Sequence, residues 1–270
     1  MQIIRTLSLV IAAAALAAAQ DKVTVPLSSP SQPATVKVNL ISGSITVTGG
    51  GSASQIVVEQ GSGREGRPPR TQPPAPPGMH RLDTGGGGLD IEEDHNVVTI
   101  SNGRNMNGGS VNIQVPTNVS LVLKSINGGH IEVSGVNGEI EVENINGPIA
   151  LKNVSGSVIA SSQNGSVVVS LDKVTQGKPM SFTTLNGKID VTLPADTKAK
   201  LRLKTDNGSV YSDFDVKMEA DSNKPVVEDS RSQNGKYLVR LDHNIYASIN
   251  GGGPEYRFET LNGSIQIRKK

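Results

Sequence analysis

The sequence predicts an all-β fold, a single-domain β-solenoid with coils of about 20 residues, and three observations point there. A short apolar frame repeats along the chain, side chains alternate within each repeat, and large side chains are few. With 30 glycines and 3% aromatic residues, each layer of core must be thin, and stacked layers of Val, Ile and Leu suit a solenoid better than two conventional globular cores.

The frame is clearest from Asn137, where Asn-Gly-Glu-Ile-Glu-Val-Glu-Asn-Ile is followed by Asn-Gly-Pro-Ile-Ala-Leu-Lys-Asn-Val from Asn146 and by Ser155-Gly156. Apolar residues fall two, four and seven positions after the glycine, as Ile140, Val142 and Ile145, then Ile149, Leu151 and Val154. The frame returns at Ser42-Gly43, Asn186-Gly187 and Asn262-Gly263, and less well at Asn207-Gly208, where Ser212 takes an apolar place.

Asn-Gly between alternating strands is ordinarily a hairpin signal. In a hairpin the flanking residues would share a face, yet Val136 would meet Glu139 and Leu185 would meet Lys188. The apolar parity also switches between positions four and seven, which a straight strand cannot do. Corners between short parallel strands satisfy both facts. Asn127, Asn146, Asn164, Asn186 and Asn207 are 19, 18, 22 and 21 residues apart, so two strands per coil are expected, with these asparagines in one column. Glycine would supply left-handed backbone at each corner. The alternative is that each asparagine merely suits its own turn.

Parity then assigns Ile140, Val142, Ile149, Leu151, Val167, Val169, Ile189 and Val191 to the core, and Glu139, Glu141, Lys152 and Lys188 to solvent. Two stretches leave the frame. Residues 61–88, rich in proline and glycine, are expected to be an exposed extended loop, and residues 213–253 an irregular insertion that ends near Tyr256.

Residues 1–19 read as a signal peptide, with Arg5, an apolar run and Ala17-Ala18-Ala19, leaving 20–270 as the solenoid domain. The apolar run, Leu7 to Ala19, is 13 residues long, shorter than the ~20 that span a bilayer, so cleavage and export to the periplasm, cell surface or exterior are expected, without membrane insertion afterwards. Without those residues the 26 basic side chains become 25, equal to the 25 acidic ones, and nothing electrostatic favours nucleic acid. There is no cysteine, so disulfides and thiolate chemistry are excluded.

For chemistry, Glu139, Glu141 and Glu143 share one side of a strand, but the matching places in a later repeat are Ser157, Ile159 and Ser161, with no paired acid or base. Asp90, Glu92, Glu93, Asp94 and His95 form the densest acidic cluster, without a calcium-loop pattern. His80, His95, His130 and His243 show no metal spacing. No catalytic, cofactor or metal residues are therefore assigned.

The segments Phe182-Thr-Thr-Leu-Asn-Gly-Lys-Ile-Asp-Val-Thr-Leu-Pro-Ala195, Ser125-Ile-Asn-Gly-Gly-His-Ile-Glu-Val133 and Glu259-Thr-Leu-Asn-Gly-Ser-Ile-Gln-Ile267 resemble the bacterial exported "putative adhesin" domain family of unknown function. The resemblance covers nearly all of 20–270 and implies a β-solenoid repeat protein without a catalytic set. The expected function is non-catalytic: binding or structural work at the cell envelope, with envelope polymer or a surface protein as partner. The alternative is a β-helix carbohydrate-active enzyme, a polysaccharide lyase or hydrolase.

Overall fold

Alternating β-branched residues give short strands, and in the computed structural model every regular element among the described residues is a strand. Those residues are 22–61, 88–102, 109–127, 129–219, 225–230, 236–241 and 244–270, with backbone alone for 225–230 and 236–241. The expected signal peptide and residues 62–87 of the expected loop lie outside them.

Coils join a long strand to a short one, across a glycine corner wherever the described residues cover the link. Along the axis the long strands run β6 (Val97–Asn102), β2 (Ala34–Ser42), β8 (Val119–Asn127), β10 (Asn137–Asn144), residues 155–164 of β11 (Ile149–Asn164), β13 (Met180–Asn186), β21 (Glu255–Asn262) and β15 (Ala199–Asn207), every neighbour parallel. The short strands follow the same order: β7 (Ser110–Gln114), β3 (Ile45–Thr48), β9 (Ile131–Ser134), residues 149–152 of β11, β12 (Val167–Val174), β14 (Ile189–Leu193), β22 (Ile265–Lys269) and β16 (Val210–Ser212). β11 turns the second corner without breaking, its register shifting between Leu151 and Ser155, and Asn153 takes a φ of 51° there.

The spatial order is not the chain order. Four middle coils, from β8 to β14, stack as they are written. At the C-terminal end the chain leaves β14 through Pro194, skips one level to build β15 and β16, and returns to fill the gap with β21 and β22. The other end mirrors this, since β2 and β3 lie between the later β6 and β7 and the still later β8 and β9. The outermost coils are capped by antiparallel strands. β5 (Leu89–Asp94) covers β6, while β4 (Gln55–Gly61) covers β7 and is itself covered by β1 (Lys22–Pro26). At the far end β20 (Ile245–Ile249) covers β15 and also pairs with β17 (Val216–Met218). A separate antiparallel pair joins β18 (Pro225–Ser230) to β19 (Lys236–Leu241). Within the stretch expected to be an irregular insertion, the described residues thus include β17 to β20, of which β20 caps the last coil.

All eight residues assigned inward are buried, while Glu139, Glu141, Lys152 and Lys188 are exposed. Burial of one such aliphatic side chain contributes about 1.5–3 kcal/mol. The inserted coil carries the largest side chains of the core, with Phe258 stacked on Phe182 at 5.0 Å between ring centroids and Tyr256 beside them. Burial raises the Tyr256 phenol above its ordinary range. Ile145, at position seven of its repeat, is half-buried, because it continues the outer parity of β10, whereas Val154 at the same place in the next repeat is buried.

The corner glycines correct part of a second expectation. Gly43 and Gly263 have positive φ, at 121° and 158°, but Gly147, Gly165, Gly187 and Gly208 do not. A Cβ at Gly165 would instead lie 2.2 Å from the Gly147 carbonyl oxygen, at Gly187 2.3 Å from that of Gly165, and at Gly263 2.0 Å from that of Gly187. Close approach of neighbouring coils therefore demands glycine here.

Candidate functional site

The glycine corner organises three columns of side chains along the axis. Three residues before each glycine sits a buried or half-buried polar residue whose side chain donates to the glycine carbonyl of the preceding coil: Ser162 to Gly147 (3.1 Å), Thr184 to Gly165 (2.8 Å), Thr260 to Gly187 (3.0 Å) and Thr205 to Gly263 (2.9 Å). One position before the glycine stand the asparagines. Asn207 donates to Asn262 (2.8 Å), Asn262 to Asn186 (2.7 Å), Asn186 to Asn164 (2.9 Å) and Asn164 to Asn146 (2.9 Å). The expected column exists but differs at both ends: Asn262 intervenes between Asn186 and Asn207, and Asn146 donates to the Ile126 carbonyl rather than to Asn127.

Between these two columns the backbone points one side chain outward per coil. In spatial order these are Ile41, Ile126, Ile145, Gln163, Leu185, Leu261 and Asp206, aligned by the strand registers. Ile126 and Leu185 are 45% and 46% exposed, and Ile41 and Leu261 are also exposed. Five aliphatic side chains thus form a stripe beside an exposed amide ladder, interrupted by Gln163 between three of them and the other two. Exposed apolar stripes of this kind mark contact surfaces. Sequence reading missed it. The available signal was the apolar residue sandwiched between the polar residue and the asparagine, as in Thr184-Leu185-Asn186 and Thr260-Leu261-Asn262.

The other candidates are placed elsewhere. Glu139, Glu141 and Glu143 project from β10 beside Ser157, Ile159 and Ser161, as the repeat implied. Lys178 pairs with Glu139, and Lys124 lies 4.0 Å from Glu141 and 3.2 Å from Glu143. Such a row forms ion pairs with lysine rather than an acid and base around a substrate. Asp90, Glu92, Glu93 and Asp94 form β5, an edge strand, where charge discourages pairing with another chain. Glu93 accepts from the Ser28 hydroxyl (2.8 Å), the Ser28 amide (3.1 Å) and the Asn96 amide (3.0 Å), and these bonds, the Ser28 hydroxyl foremost, hold its carboxyl below the usual range. His95 pairs with Asp94, and among the described residues no three acids or histidines converge as a metal site. His80 and His243 lie outside the described residues. A cleft of about 570 Å³ at the N-terminal end is lined by Lys22, Val23, Val58, Gln60, Leu89 and Ile91, with a single titratable side chain.

On the opposite end of the long-strand face, Arg257 and Lys204 both hold Glu259. Partial burial works against its ionisation, but the Arg257 hydrogen bond and the charges of Arg257, Lys204 and Arg202 keep its pKa below the ordinary value. No helix among the described residues is long and apolar enough to cross a membrane.

Comparison with known proteins adds three findings. The model of the Toastrack DUF4097 family matches residues 16–245. A crystal structure of "a putative cell adhesion protein" from Clostridium sporogenes is similar over 93% of this chain and 100% of its own, at 13% identity and a TM-score of 0.42. No curated protein matches.

Proposed function

We propose, starting from the fact that this chain belongs to the Toastrack DUF4097 family, that it is an exported, non-catalytic, adhesin-like scaffold with a binding or structural role at the cell envelope. One observation carries this reading: the aliphatic stripe and amide ladder run side by side along one corner of a rigid solenoid, offering apolar area and hydrogen-bonding groups at one fixed spacing. A scaffold of stacked coils holds such columns in register without ordering cost on binding. The partner is envelope polymer or a neighbouring surface protein. Residues 1–19 direct export and are removed.

The test is retention of the mature protein on envelope fractions and immobilised glycans, compared with a variant carrying Ile126→Glu and Leu185→Glu. Retention that falls in the variant supports the proposal. Equal retention of both proteins, or shortening of any glycan during incubation, would contradict it, the latter in favour of the carbohydrate-active alternative. Mass spectrometry of the exported protein should find a chain that starts after residue 19.

A further inference from the structure

We infer that the aliphatic stripe is a homotypic interface, on which a second copy of this chain docks antiparallel about a two-fold axis passing through Gln163. The occupant is another copy, which would compete with an envelope partner for the same stripe, so the inference goes beyond the envelope-binding reading and would stand even if no envelope ligand were found.

An isologous contact must be self-complementary when its order is reversed. Counted outward from Gln163, the inner part of the stripe meets that condition: Ile145 and Leu185 lie one coil away on either side, and Ile126 and Leu261 lie two coils away, whereas Ile41 and Asp206, three coils away, do not match and lie outside the contact. Reversal therefore sets Ile145 on Leu185 and Ile126 on Leu261, with one Gln163 amide facing the other at the axis. The column beside the stripe adds charge complementarity. Lys124 and Glu259 occupy it two coils from the axis on opposite sides, aligned through Glu143, Ser161 and Thr183, so reversal brings each lysine, paired in its own chain with Glu143, to the partner copy's glutamate, paired in its own with Arg257 and Lys204, and extends both into one ion-pair network. On the axial coil itself, Ile159 is 52% exposed on the same face and enlarges the apolar centre.

The contact is modest. From Ile126 to Leu261 the matched stripe spans four strand spacings, roughly 19 Å. So short a strip covers little surface, and the dimer should therefore be weak and should depend on concentration.

Sedimentation velocity of the mature chain, from micromolar to millimolar concentration, tests this. A monomer–dimer equilibrium is expected. Leu185→Glu should weaken it about tenfold or more while leaving the melting temperature unchanged. Glu259→Lys should weaken it as well, and adding Lys124→Glu should restore it. Position is tested separately, because the chain has no cysteine. Under mild oxidation Gln163→Cys should give a disulfide-linked dimer much faster than Thr48→Cys, which lies exposed on the short-strand face. A wild-type chain that stays monomeric throughout, a dimer indifferent to Leu185→Glu, or equal cross-linking of the two cysteine variants would each overturn the inference.

Discussion

The four middle coils stack in the order the chain writes them, whereas at each end two coils exchange places, yet the layers are built alike. Asn186 meets Asn262 in the exchanged region as Asn164 meets Asn186 in the ordered one, at 2.7 and 2.9 Å. The glycine contacts and the buried threonine bonds also continue through the exchange. A coil is therefore specified by the side chains it offers to its neighbours above and below, and the connection may reach it from either direction. Stability in such an array is a sum over neighbouring interfaces.

The largest effect should come from removing the exchanged coil. A chain ending at residue 254 loses two interfaces at once, because β21 contacts both β13 and β15, and it strands Phe182 without its stacking partner. Limited proteolysis should then cut throughout residues 199–219 while the coils from β8 to β12 resist. Uniform resistance would show that β15 can close onto β13 directly.

Next in size, Gly165→Ala in the ordered region and Gly208→Ala in the exchanged one should be destabilising to a similar degree. Each added Cβ meets backbone oxygen, at 2.2 and 1.9 Å, so the coils must separate, at a cost at or above the ~1–3 kcal/mol of ordinary overpacking. Thermal unfolding of the two variants would break the comparison if only one were affected. Within the ordered region, Ile149→Ala should cost about 2–5 kcal/mol, since Ile149 is fully buried, and Glu141→Ala almost nothing.

These residues also show what the sequence could and could not reveal. Parity alone placed Ile140, Val142, Ile149 and Leu151 inside, because one-residue alternation on a short strand leaves no freedom. Coil length was legible for the same reason, from the spacing of Asn-Gly. Coil order was not, because Asn262-Gly263 and Asn207-Gly208 carry the same frame and either would fit on Asn186-Gly187. The one local trace is a proline directly after a short strand, Pro116 after Val115 and Pro194 after Leu193, at the two places where the chain skips a level. The contact stripe was hidden differently. Ile145 and Leu185 are apolar, and a frame built on apolar recurrence counts such residues as core unless the polar neighbour at Asn144 or Thr184 is recognised as the buried one.

The smallest effect concerns the N-terminal cap. Glu93 has a lowered pKa in the folded protein, so its contribution is present above the unfolded value of about 4.3 and is lost as pH falls through the folded one. Hydrogen exchange at the Ser28 and Asn96 amides should accelerate as pH is lowered through and beneath the ordinary carboxylate range, after correction for intrinsic rates. Glu93→Gln should show fast exchange at neutral pH and little further change.

Coil order itself is tested most directly by paired cysteines in this cysteine-free chain. Thr183 is the register partner of Glu259, and Glu259 of Lys204, so Thr183 and Lys204 stand two strand spacings apart, about 9.6 Å. A disulfide bridges Cα atoms up to roughly 7 Å apart and no further. The account predicts intramolecular disulfides in Thr183→Cys/Glu259→Cys and in Glu259→Cys/Lys204→Cys, and none in Thr183→Cys/Lys204→Cys. A disulfide in the last pair, with neither of the first two forming, would mean that the coils stack in chain order and would contradict it.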